Sequence, residues 1–294
     1  MRELFSKKKK TGIDNNQSLS FNPKNEFYQE NGYYIFRDLF AKDEINKLQD
    51  TVDEVYGSYD ESFLRPGNEE KMNYVFKNGL EQNPRSGILK FHTLTEGAGS
   101  ALAETFKKIF CQEKIFSAFK QFFSTDKFTI HQTILFFTSP LTDLRPDLIN
   151  LDTSTSGQSF TCWLPLDHID DVNGGVLISS NPTGNRDDKM INGSNDAEDF
   201  IEKYKNNLYS KNPSFTVPIL DPGDLLLLAP TTAHGSLPPK YKNRRRSMQV
   251  ILRVTSAEKW GGFKSFSEKH VTKDEEDEIT PHFNILKEPS IVDY

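Results

Sequence analysis

Cysteine is scarce in this chain, with only Cys111 and Cys162 among 294 residues. That scarcity excludes a disulfide-stapled scaffold and fits a reducing, cytoplasmic setting. No apolar run approaches the roughly 18 residues that a membrane-spanning helix needs. The opening MRELFSKKKK leads into polar sequence rather than an apolar leader core, so neither secretion nor membrane insertion is expected. An excess of one charge is also missing: 36 basic and 42 acidic residues leave a net charge of -6, spread along the sequence. A nucleic-acid-binding surface is therefore not the expected function. The two local exceptions, Lys7 to Lys10 and the acidic stretch Asp274 to Glu278, read as solvated ends, because like charges resist packing.

What is present is apolar bulk. The 23 phenylalanines supply large area for a core, and the length suits one elaborated domain. Residues 1–24 read as a flexible N-terminal segment, 25–260 as a single domain and 261–294 as a C-terminal extension. Within the domain, Ile45, Leu48, Val52 and Val55 recur at helical spacing over Asp43 to Tyr56, with Gly57 as a stop. A second helical region places Leu102, Phe106, Ile109 and Phe110 on one face and continues through Ile115, Phe119 and Phe122.

From Phe128 the pattern becomes one of strands. FTIHQTILFF, SFTCWLPL, GVLIS, FTVPIL and DLLLLA are rich in apolar, β-branched and aromatic residues, and Asp221-Pro222-Gly223 is a turn signal before the last of them. A final strand alternates, with Ser247, Gln249, Ile251 and Arg253 on one face and Met248, Val250, Leu252 and Val254 on the other. A helical insertion is expected around Asp196 to Tyr209. The chain is therefore mainly β with flanking helices, a sandwich or barrel, without an internal repeat.

Three stretches carry a resemblance. YQENGYYIFRDLFAKDEINKL (28–48), WLPLDHIDDVNGGVLISSNPTG (163–184) and GDLLLLAPTTAHGSLPPKYKNRRRSMQVIL (223–252) occur in the order and spacing of the phytanoyl-CoA dioxygenase-like family, and the likeness covers roughly residues 27–255. The resemblance implies a double-stranded β-helix (jelly-roll, cupin-like) core. It also implies Fe(II) and 2-oxoglutarate as cofactors and O2-dependent oxidation of a small-molecule substrate. Iron in such a site is held by two imidazoles and one carboxylate on one face of an octahedron.

Carried onto this sequence, the last ligand matches His234, set among the small residues Ala233, Gly235 and Ser236. Arg245 and Ser236 match the groups that bind the distal carboxylate of 2-oxoglutarate, and a guanidinium fork suits that planar anion. Without the resemblance, a structural His234 followed by a surface basic cluster at Arg244 to Arg246 is the better reading. The family's His-x-Asp pair falls, by spacing, on Asn150 and Asp152, with Asn150 lying 84 positions before His234. An amide oxygen there replaces an imidazole nitrogen and binds Fe(II) more weakly. A literal His-x-Asp, His168-Ile169-Asp170, stands as the alternative pair, inside a turn between strands. His131 lies on a strand with the opposite facing from Ile130 and Gln132, where it can line a pocket or simply pack. Gln132, Thr138 and Trp163 are cavity residues by strand position.

Two functions follow. The first is a dioxygenase, hydroxylating a small metabolite or biosynthetic intermediate. The second is a binding or regulatory protein of the same fold that has lost one iron ligand, as the residue at position 150 suggests.

Overall fold

The computed structural model describes residues 23–57, 87–89, 91–93, 97–123, 128–136, 144–147, 159–179, 197–237, 249–255, 282–284 and 291–292. Helix α1 (Pro23–Asn31) turns at Gly32 into strand β1 (Tyr33–Phe36), and α2 (Lys42–Gly57) follows. Strand β2 (Gly87–Leu89) and a 3-10 turn (Phe91–Thr93) lead to α3 (Gly97–Phe110) and α4 (Glu113–Phe119). The expected continuous helical region is thus two helices. Its break falls at Gln112, whose backbone is extended (φ -114, ψ 152) and whose amide reaches Glu44 Oε1 on α2 at 2.7 Å.

Strands β3 (Thr129–Phe136), β4 (Ser159–Pro165) and β5 (Val176–Ser179) come next, then the insertion helix α5 (Ala197–Ser210). The chain ends in β6 (Phe215–Thr216), β7 (Leu225–Leu228), β8 (His234–Ser236), β9 (Gln249–Thr255), β10 (His282–Asn284) and β11 (Ile291–Val292). Strand β6 is shorter than the apolar run FTVPIL suggests, and Pro218, which has no N–H to give a ladder, lies just beyond it.

Two antiparallel sheets result. The larger has eight strands in the order β1-β7-β4-β9-β3-β10-β11, with β2 also on β3, and the smaller has the order β6-β5-β8. Residues 282–284 and 291–292 contribute β10 and β11 to the large sheet, through Phe283↔Ile130 and Asn284↔Thr129.

The core divides by sheet face. Phe160, Cys162 and Leu164 of β4 and Leu225 and Leu227 of β7 pack against Leu48 and Val52 of α2 and Phe106 and Phe110 of α3. On the opposite face, Trp163, Leu226, Leu228 and Ile251 pack against Val176 and Ile178 of the small sheet. Both faces of β4 and β7 are buried, which is why LLLL and SFTCWLP read as unbroken apolar runs rather than alternating ones. Strand β9 does alternate as its sequence predicts, with Val250 and Val254 toward the helices and Ile251 toward the small sheet.

Strand β3 departs from strict alternation. Its pairing with β9 slips between Ile130 and Gln132, a bulge at His131. Ile130 and Leu135 consequently face the helices while Ile134 and Phe136 face the small sheet.

The turn before β7 is held by Asp224, which is buried. Its carboxylate accepts from Arg37 Nη1 at 2.5 Å, Asp38 N at 3.1 Å and Asp221 N at 3.0 Å. Gly223 sits at φ +109, where an added Cβ would meet the Phe40 carbonyl oxygen at 2.9 Å, so glycine is required there. Gly175 is crowded in the same way, with the Asp170 carbonyl oxygen 2.6 Å from where a Cβ would stand.

Candidate functional site

His234 opens β8, after the turn 229–233 that leaves β7. Several long-range bonds fix this turn. Ala229 N and Thr232 Oγ1 both donate to the carbonyl of Gly32, at 2.8 and 2.7 Å, and the Tyr204 hydroxyl of α5 donates to the Thr231 carbonyl at 3.0 Å. Thr232 in turn orients the imidazole: His234 Nδ1 lies 3.0 Å from the Thr232 carbonyl oxygen. A carbonyl only accepts, so Nδ1 carries the proton and a neutral ring presents its lone pair at Nε2.

A carboxylate stands before that lone pair. Asp147 Oδ2 is 3.7 Å from His234 Nε2, and the same oxygen accepts from Thr161 Oγ1 of β4 at 2.5 Å. Asp147 is buried and the His234 side chain is only 13% exposed. Two electron-rich atoms facing each other away from water require a cation between them, either a proton or a metal ion. Two ligands each roughly 2.1 Å from one ion can span such a gap. An imidazole held by a backbone carbonyl, beside a carboxylate held by a hydroxyl, is also how metal ligands are oriented by their outer partners. These two groups fit a metal; among the described residues no group of three or more His, Cys, Asp or Glu side chains does.

Asp147 was not singled out from the sequence. The backbone shows why it arrives here: Arg145 and His234 exchange both N–H···O bonds at 3.0 Å, adding the segment around Arg145 to the edge of β8. The available signal was Arg-Pro-Asp at 145–147, but the family's spacing admits several carboxylates, and nothing local distinguishes this one from Asp152. Asn150, Asp152 and Arg245 lie outside the described residues, as do Thr138 and the side chain of His131.

Ser236 is buried two residues beyond His234 on β8, on the same side of the strand. Trp163 faces the small sheet and donates its indole N–H to Gln249 Oε1 at 2.5 Å. That bond dictates the amide orientation of Gln249, and its buried Nε2 has no hydrogen-bond partner. A donor in this condition points to a polar guest or a water within the sandwich.

His168-Ile169-Asp170 lies elsewhere. Strand β4 pairs Thr161 with Leu228 and Trp163 with Leu226, so Asp147 and His234 sit at the end of this strand pair where β7 finishes. His168 follows the other end of β4 and meets Asp221, which precedes β7. Its ring stands between Asp221 Oδ1, 2.6 Å from Nδ1, and Asp170 Oδ2, 3.5 Å from Nε2. The Asp221 hydrogen bond raises its pKa above the ordinary imidazole value. Burial pushes the Asp170 carboxyl up, but the N–H groups of Val172 and Asn173 outweigh that and hold it low. His92 is buried against the Thr133 hydroxyl, 2.7 Å from Nδ1, on the helical side of the large sheet.

The two-sheet architecture is shared with solved non-haem, 2-oxoglutarate-dependent enzymes. The epimerase SnoN of nogalamycin biosynthesis, in complex with Fe3+, α-ketoglutarate and nogalamycin RO, superposes with a TM-score of 0.57 at 10% identity, covering 79% of this chain and 82% of that one. The carbocyclase SnoK of the same biosynthesis gives 0.56 at 11%, over 85% and 90%. EctD from S. alaskensis, with 2-oxoglutarate and 5-hydroxyectoine, gives 0.52 at 13%, over 78% and 74%. A comparison with curated protein sequences finds no match. The sequence profile of phytanoyl-CoA dioxygenase (PhyH) matches residues 28–247, and the chain belongs to that family.

Proposed function

We propose that this protein is an Fe(II)/2-oxoglutarate-dependent oxygenase that hydroxylates a small metabolite or biosynthetic intermediate, with its two sheets forming a double-stranded β-helix. The observation that carries this reading is the convergence of His234 Nε2 and Asp147 Oδ2 at 3.7 Å, with the other imidazole nitrogen tied to a backbone carbonyl. His234 and Asp147 would hold the iron, Asp147 standing in this reading where the family resemblance had placed Asp152, and Arg245 and Ser236 would grip the distal carboxylate of 2-oxoglutarate, as that resemblance implies. When bound, the pair supplies O2 activation coupled to decarboxylation of 2-oxoglutarate to succinate.

The chain's own residues supply position and dryness. Thr232 keeps the proton of His234 on Nδ1, and Thr161 aims the Asp147 carboxylate. Trp163, Leu226, Leu228 and Ile251 line the neighbouring sheet face and exclude water from a reacting centre. The enzymes of this fold named above include an epimerase and a carbocyclase, and support from the fold extends to the cofactor chemistry rather than to hydroxylation.

The test is anaerobic addition of Fe(II) and 2-oxoglutarate to the purified chain. The expected result is a visible charge-transfer band, and aerobic succinate formation, both absent from His234→Ala. No band and no succinate from the parent chain would sink the proposal. The carboxylate is assigned in the same assay: loss of the band in Asp147→Ala supports Asp147, whereas loss only in Asp152→Ala transfers the role to Asp152. A second reading, a binding protein of this fold impaired in iron chemistry, is favoured by one residue, Arg145, whose place on the site's face bears on metal affinity.

A further inference from the structure

Arg145 is directly opposite His234. Each backbone donates to the other's carbonyl at 3.0 Å, which defines a hydrogen-bonded antiparallel pair. Directly opposed residues send their side chains off the same face. Asp147, two residues further along, returns to that face and meets His234 Nε2. A set of two imidazoles and one carboxylate therefore has two members here, and the remaining place on the face belongs to Arg145. A guanidinium has five donors and no lone pair, so it cannot ligate a metal. The Arg145 side chain is exposed, and among the described residues it makes no hydrogen bond or ion pair.

We propose that Arg145 takes the place of one metal-ligating imidazole, leaving His234 and Asp147 as a two-ligand centre that takes a divalent cation tightly only together with an anionic chelating ligand. This inference rests on the oxygenase reading above. Its physical basis is a balance of charge and donors. Two protein donors hold a divalent ion weakly, and a neighbouring guanidinium repels it. A 2-oxo acid brings two oxygen donors and negative charge, and its free carboxylate oxygen suits the guanidinium fork. Metal and 2-oxo acid then strengthen each other's binding by the same factor, since coupling between two ligands is reciprocal.

The experiment titrates Mn(II) into the full chain, with and without 2-oxoglutarate, and follows binding by calorimetry and by the Mn(II) spin-resonance signal. In the parent chain, Mn(II) is expected to bind at least tenfold more tightly when 2-oxoglutarate is present. Arg145→His restores an imidazole on the right face, so Mn(II) alone should bind at least tenfold more tightly than to the parent, and the dependence on 2-oxoglutarate should shrink. Arg145→Gln removes the charge without adding that donor and should show a clearly smaller gain. Because only the backbone of residue 145 is tied into the fold, both variants should melt with the parent.

Equal Mn(II) affinity in parent and Arg145→His, without 2-oxoglutarate, overturns the inference and leaves the oxygenase reading standing. So does a gain in Arg145→Gln that matches Arg145→His, because charge alone would then account for it. If neither parent nor Arg145→His takes up Mn(II) or 2-oxoglutarate, the oxygenase reading itself fails, and this inference with it.

Discussion

Two histidines sit at opposite ends of the same pair of strands, each beside a carboxylate, and they do different things. His168 has a carboxylate at each ring nitrogen, is half exposed, and has its pKa raised by the Asp221 hydrogen bond. With an acceptor at each nitrogen the ring bridges two turns and its protonated form is favoured, which leaves it poorly suited to offer a lone pair. His234 has a carbonyl at one nitrogen and a carboxylate at the other, in a nearly enclosed place. The carbonyl forces the proton to Nδ1, and the free pair at Nε2 is what a metal needs. A histidine's neighbours, rather than the pattern His-x-Asp, decide which of the two can be a ligand.

The sharpest way to break this contrast is to remove each ring in turn. His234→Ala should weaken Fe(II) uptake in the presence of 2-oxoglutarate by at least about a hundredfold, since a direct ligand is worth more than an outer partner. His168→Ala should leave that uptake within about twofold while costing a little stability. Anaerobic titration checks both; comparable losses in the two variants would mean that the ends of the strand pair are not independent.

Much of the architecture behind this contrast was legible in the chain. The stripe Ile45, Leu48, Val52 and Val55 gave α2 its buried side, and the runs around Phe160 and Leu225 to Leu228 gave the central strands. Those signals are local and periodic. The pairing of Asp147 with His234 is neither, because the two lie 87 positions apart (234 − 147) and meet only through sheet topology, and the partner of Arg145 is set by which strand lies at the edge of β8. The bulge at His131 was hidden for a similar reason, since a one-residue slip leaves no mark in composition. His168-Ile169-Asp170 matched a pattern whose meaning depends on neighbours, and the neighbour that matters, Asp221, is 53 positions away.

Stability should separate the two ends next. Asp224→Ala leaves three donors, from Arg37, Asp38 and Asp221, without their carboxylate at a buried position. A cost of about 3 kcal/mol is expected. Denaturant unfolding measures it, and Fe(II) affinity should change little, because the loss falls at the His168 end. At the other end, Thr232→Val removes the bond to the Gly32 carbonyl and should cost about 1 kcal/mol. Here metal affinity should fall as well, by up to about tenfold, because the Thr232 carbonyl orients His234. Thr232→Ser should recover both; a variant that loses stability but keeps full metal affinity would show that the turn does not position the ring.

The smallest effect concerns pH. In the unfolded chain the imidazole of His168 titrates near its ordinary value of about 6.5, and in the fold Asp221 raises it. The folded state therefore holds the proton more tightly, and the bridge contributes fully below the unfolded value. Its contribution fades as pH rises through the raised folded value. With the ring half exposed and screened by solvent, the effect should stay under about 1 kcal/mol. Unfolding free energies of the parent and His168→Gln, measured between mildly acidic and mildly alkaline pH, should converge as pH rises. A gap that is constant across that range would mean that His168 contributes by packing rather than by charge, and the two histidines would then differ less than their neighbours imply.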